Sequence, residues 1–244
     1  MDFYKTFYVP NNATLSIAGD INPKQVKALI DKYFSDIPKG TREIPRPTAV
    51  EPAKTAEIRD TVYDNIQLPA VVLGYHLPAQ GTPEFYAVKM LTTLLSQGKS
   101  SRMQKAIVDK QQKAVYIGAF PLSLEDPGLA LIFGITNMGV APTDLEEAMN
   151  NQFDKVKKEV ITDYEFQKLR TQIESEIVQD NSKMVGIAEN LANYSVYFKD
   201  ANLINTEIGR YMEVTPQDIQ KAAQKYLTKE NRVVLYYLPK SAKK

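Results

Sequence analysis

The sequence has no cysteine, no tryptophan and a single histidine, His76. Without thiols there is no disulfide framework, and the redox compartment is left open. Protein zinc sites usually draw two or more ligands from imidazole and thiolate, so one imidazole cannot build one within the chain. Ser-His-Asp and Cys-His constellations need an imidazole too, so most hydrolase chemistry is either absent or rests on His76. Thirty basic residues against twenty-nine acidic ones give a formal net charge of +1, which lacks the basic excess of a nucleic-acid binder. No apolar run approaches the ~18 residues of a membrane span, and the N-terminus lacks the apolar core of a signal peptide.

What is present is ordinary globular material: 244 residues, 43% hydrophobic and 24% charged, enough for one large domain or two small ones. Asp2 to Tyr8 reads as the last turns of a helix directly after Met1, so the chain is expected to be a piece of something longer. Thr14 to Ala18 alternates as a strand. Asn22 caps a helix with Pro23 at its first position and a stripe of Val26, Leu29, Ile30, Tyr33 and Phe34. From Ile37 to Glu51 the apolar period vanishes among prolines, which marks a linker.

A second block begins with strands over Ala56 to Tyr63 and Leu68 to Leu77. Thr82-Pro83 opens a helix, Gly98 breaks it, and Ser101 starts a short one through about Lys110. Ala114 to Leu122 and Leu129 to Thr136 read as neighbouring strands joined at Glu125-Asp126-Pro127-Gly128. Two capping boxes, Thr143 to Glu146 and Thr162 to Glu165, predict helix starts. Helix follows around Ile187 to Phe198 and from Thr215-Pro216, and Val233 to Leu238 closes the chain as a strand. Asp2 to Ile17 also aligns without a gap to Asp218 to Leu235, each a helix end, a Tyr, a polar turn and an apolar strand. This echo suggests that residues 1 to about 35 close one domain and about 53 to 244 form a second.

Motif by motif, the bland reading prevails. Gly98-Lys99-Ser100 lacks the glycine five residues earlier that a phosphate loop requires, because position 93 is Thr. Ser96-Gln97-Gly98-Lys99 fits the Ser-x-x-Lys of penicillin-recognising enzymes, yet no Lys-Thr-Gly triplet accompanies it. His76 reads as a surface or edge histidine at a strand end. The pairs Asp60 with Asp64 and Glu146 with Glu147 read as solvated charge, and Tyr194, Tyr197 and Phe198 as core at helical spacing.

Four segments carry a family likeness: Phe7 to Asp20, Lys32 to Pro38, Leu94 to Met103 with its Gly-x-Ser-Ser-Arg loop, and Val214 to Ile219. In this order they resemble the M16 (pitrilysin-like) zinc metallopeptidases. The resemblance implies an α+β fold, a mixed, largely antiparallel sheet packed against several helices. It assigns 1–36 to the tail of a preceding M16 domain, 37–52 to a Pro-rich linker, and 53–244 to a complete second, inactive domain. The family's His-x-x-Glu-His motif lies in its first domain, so zinc is expected in a partner catalytic domain, fused or separate, with no metal or catalytic residue here. Active members often offer an Arg and a Tyr seven residues apart; counted from Ser101-Arg102, those places fall on Val108 and Val115, with Tyr116 one place off. Ser101, Arg102 and Tyr116 are the candidate substrate-binding residues. The resemblance implies a silent half that helps enclose and bind a peptide or protein substrate, with pairing along a sheet edge as one route. The alternative is a non-proteolytic scaffolding subunit of the same fold. An exported, periplasmic setting is the expectation for location.

Overall fold

The computed structural model describes residues 1–242. In chain order the elements are α1 (Asp2–Phe7), α2 (Pro23–Phe34), β1 (Ile58–Asp64), β2 (Ala70–His76), α3 (Pro83–Ser96), β3 (Ala114–Leu122), β4 (Leu129–Thr136), α4 (Pro142–Lys158), α5 (Asp163–Asp180), α6 (Met184–Asn193), α7 (Leu203–Glu213), α8 (Pro216–Tyr226) and β5 (Arg232–Pro239). Wider π-helical turns run over Gln104–Lys110 and Tyr194–Phe198. Two compact units result: Met1–Glu51 with Ser175–Glu207, and Pro52–Glu174 with the chain from Ile208 onward.

In the first unit, Asn22 accepts the N–H groups of Lys24 at 3.0 Å and Gln25 at 3.3 Å, and Pro23 fills the first helical position of α2. The apolar stripe of α2 is present but unburied, with Leu29, Tyr33 and Phe34 all more than half exposed. The strand expected at Thr14 to Ala18 forms no ladder among the described residues. A strand is held by its neighbours, and the five strands of the chain pair only with one another. In the same unit Tyr194 is buried, stacks edge-on to Phe198 at 5.9 Å and donates to Glu207, whereas Tyr197 is exposed rather than core.

The second unit is built on one sheet of order β1-β5-β2-β4-β3. Only β1 and β5 run parallel; the other three pairs are antiparallel, giving the mixed, largely antiparallel sheet that the family resemblance implies. One face carries Val71, Leu73 and Tyr75 of β2, Ala130 and Ile132 of β4 and Val234 of β5, all buried. Helices α3, α4 and α8 form the layer on this face. Gly134 of β4 permits the approach of α4: a Cβ there would lie 2.8 Å from Met149 Cε and 3.1 Å from Leu145. Phe153 meets the Tyr75 ring edge-on at 6.2 Å.

Helix starts follow proline more faithfully than capping-box spelling. Thr162 and Glu165 do exchange the reciprocal bonds of a box, and Thr215 with Asp218 does the same at α8. At α4 the helix begins two residues earlier than its box implies, at Pro142 with Ala141 as a cap that makes no side-chain bond. Glu146 is thereby freed from capping and turned inward. It is 6% exposed and accepts from Arg59 through both oxygens, from Arg232 at 3.0 Å and from Tyr236 at 2.5 Å. Reading it as solvated charge is thus corrected.

Candidate functional site

Because side chains alternate along a strand, the register that buries Leu73 and Ile132 puts a second set on the opposite face. That set is Tyr116, Gly118, Phe120 and Leu122 from β3, Leu129, Leu131, Phe133 and Ile135 from β4, and Ala70, Val72, Gly74 and His76 from β2. From β5 come Val233, Leu235 and Tyr237, and from β1 Ile58, Asp60, Val62 and Asp64. No helix of this unit lies over them. Tyr116 is 53% exposed, and Phe120, Leu122, Leu129 and Val233 are each more than a third exposed. These apolar side chains are neighbours on one face rather than scattered singly, and contiguous apolar patches mark interaction sites.

The aromatic end of the face is organised around one glycine. Gly118 pairs with Phe133 across the ladder, and a Cβ at Gly118 would sit 2.9 Å from the Phe133 ring. Phe133 lies over the glycine, flanked by Tyr116 at 5.6 Å and by Phe120 edge-on at 6.1 Å. These three rings are held against one another while two remain substantially exposed, a preformed surface for apolar side chains.

Tyr116 reaches this face through an irregularity. The β3–β4 register slips between Ala114 and Tyr116, leaving Val115 without a partner, so Val115 and Tyr116 are both exposed. A regular strand would bury one of the two, so counting alternation from Val115 misplaces Tyr116.

Ser101 and Arg102 stand elsewhere. The Arg102 guanidinium clamps Glu165 of α5 with bonds of 2.9 Å and 2.8 Å. Arg102 thereby holds the Glu165 carboxyl down at about 2, and the Thr162 bonds of the capping box add to the effect. Ser101 is 3% exposed. Neither residue is brought together with Tyr116.

The sheet edge at β3 is guarded. Ala119 donates its N–H to Ser96 Oγ at 2.6 Å, and that hydroxyl donates back to the Ala119 carbonyl at 3.0 Å. Pro121, two residues on and turned the same way, has no N–H to offer. Residues 119–121 therefore present no free donor for strand addition. The same bonds explain Ser96 as an edge cap rather than a nucleophile. A concave groove of about 580 Å³ between α3 and α8 is the other candidate. Several of its polar groups are paired: Glu84 holds Lys225 at 2.6 Å and takes the Tyr226 hydroxyl, and Arg210 donates to Tyr86. A zinc ion does not fit the chain, since His76 is its sole imidazole and no three His, Asp or Glu side chains converge among the described residues.

The family model for the peptidase M16 inactive domain matches residues 1–173. The chain belongs to that family. It is 26% identical over 242 residues to the zinc protease PqqE of Helicobacter pylori, covering 97% of this chain and 54% of that protein. A crystal structure of a protease from Helicobacter pylori superposes with a TM-score of 0.91 at 24% identity, over 98% of this chain and 58% of that one. The periplasmic protease PqqL of Escherichia coli superposes at 0.68 and 16% identity, over 91% of this inactive-domain chain and 24% of its own. The chain thus spans about half the length of the relatives it matches. Among the described residues no helix is long and apolar enough to cross a membrane.

Proposed function

We propose that this M16 inactive domain is the catalytically silent half of a zinc metallopeptidase, helping to enclose and bind peptide for a zinc-bearing partner domain, in the same polypeptide or a separate one. The observation that carries this reading is the uncovered apolar face of the sheet, with its Tyr116, Phe120 and Phe133 rings. The zinc of the partner would activate water; this chain contributes shape and apolar contact. Of the three residues expected to touch substrate, Tyr116 stands on that face and is assigned the contact, while Ser101 and Arg102 serve packing. Residues 1–36 are assigned to the close of the partner-type domain, 37–52 to the linker and 53–244 to the silent domain. The names of the relatives favour a protease, and the periplasmic neighbour favours an exported setting.

The test is a peptide-hydrolysis assay on the catalytic half, identified by His-x-x-Glu-His in the same or an adjacent reading frame, with and without this chain. Cleavage that requires both supports the reading. Zinc-dependent cleavage by this chain alone, or a complex with the catalytic half that leaves its rate unchanged, contradicts it, the latter in favour of a scaffolding role.

A further inference from the structure

The open face is not uniform in charge. Across the five strands, the side chains it presents include no lysine or arginine and two carboxylates, Asp60 and Asp64, both on β1 at one border. Arg59 and Arg232, the basic residues of these strands, turn to the helix-covered face, where Glu57 and Glu146 hold them. Asp60 is exposed and its carboxylate accepts the N–H of Thr61 at 2.7 Å. Asp64 accepts the Tyr237 hydroxyl at 2.7 Å, with Lys240 3.9 Å away, and its side chain stays about half exposed. The aromatic cluster occupies the opposite border, on β3 and β4.

We infer that the occupant of this face is an extended peptide bearing an aromatic or aliphatic residue and a basic residue about six positions apart. This rests on the reading of the face as a peptide-binding surface and deepens it. From β1 to β3 there are four inter-strand steps, or ~19 Å at about 4.8 Å each, and an extended chain rises about 3.3 Å per residue. A peptide laid across the strands with its ring at Tyr116 and Phe120 therefore brings its sixth following or preceding side chain to Asp60. There a lysine or arginine meets the Asp60 carboxylate, on the same rung as Leu235, Val72 and Phe133, while an acidic residue meets repulsion. Between the two ends the face offers Val72, Gly74, Leu131 and Leu235, which favour small or apolar side chains and leave a mid-peptide charge unpaired.

Fluorescence anisotropy with labelled twelve-residue peptides tests this on the 244-residue chain. Each peptide carries one phenylalanine and, six residues away in either order, lysine, glutamine or glutamate; a fourth carries lysine only three residues away. The expected order is lysine tightest, about threefold below glutamine in Kd, with glutamate weakest, since an exposed ion pair is worth under ~1 kcal/mol. Asp60→Asn, which keeps an acceptor for Thr61, removes the preference for lysine over glutamine, and an unchanged melting temperature shows that it folds. Binding of all peptides with equal Kd, or equal binding of the three-residue spacing, overturns the charge and spacing rule and leaves the peptide reading intact. Failure of every peptide to bind overturns both.

Discussion

At the scale of the residue, two side chains show how placement decides role. Arg102 has the polarity for holding a carbonyl, yet its guanidinium is taken up by Glu165. With the Glu165 carboxyl lowered from 4.5 to about 2, the folded state binds fewer protons than the unfolded one. Its stabilisation is therefore complete above about pH 4.5 and is lost as pH falls toward 2. Urea unfolding of Arg102→Met across pH 3 to 7 is expected to show a loss of about 2 kcal/mol at neutral pH and a flatter acid limb; an unchanged limb would assign acid sensitivity to other carboxylates. Gly118 is the second case. Gly118→Ala should cost about 1–3 kcal/mol by forcing Phe133 aside, and Phe133→Ala in the same chain should recover most of it, as a double-mutant cycle by thermal unfolding would show.

At the scale of the element, β1 is the exposed border strand, joined by β5 along one edge only. Its anchor is the network in which Glu57, Arg59, Glu146, Arg232 and Tyr236 tie β1 and β5 to α4. Burial works to raise the Glu146 carboxyl, but the bonds from Arg59 and Tyr236 overcome it and hold it below its usual range. Burial likewise pushes the neighbouring Tyr75 hydroxyl up to about 12. Removing Glu146 leaves the buried Arg232 with Glu57 and Asn150 alone, so Glu146→Leu should destabilise by about 1–3 kcal/mol. Amide hydrogen exchange should show β1 opening first; uniform loss of protection across the sheet would contradict the anchoring role. Element starts and strand limits were legible because proline, glycine and alternation act locally: Ala114 to Leu122 and Leu129 to Thr136 are the observed β3 and β4. The inward turn of Glu146 was not legible, because its partners lie 86 to 90 residues away.

At the scale of the whole molecule, the telling pattern is apolar sequence on both sides of the central strands. Val71-Val72-Leu73 in β2 and Leu131-Ile132-Phe133 in β4 read as strands buried on two faces, whereas the fold covers one. Periodicity locates a strand but does not say which of its faces a helix will cover, so the open face was not legible beforehand. Nor was the slip at Val115, which decides where Tyr116 points. The family likeness, by contrast, was written in short motifs spread over the chain, and the match to the M16 inactive domain bears it out. The lone His76 takes its place on the open face at the end of β2, paired in register with Leu129.

The absence of tryptophan supplies the most direct measurement. Phe120→Trp places a single indole on the open face, and its emission can be followed while an extended, phenylalanine-bearing peptide is titrated in without zinc. The account predicts a saturable blue shift, abolished by Tyr116→Asp at the neighbouring ring. An emission spectrum that stays that of a solvent-exposed indole at every peptide concentration would contradict the claim that this face binds peptide.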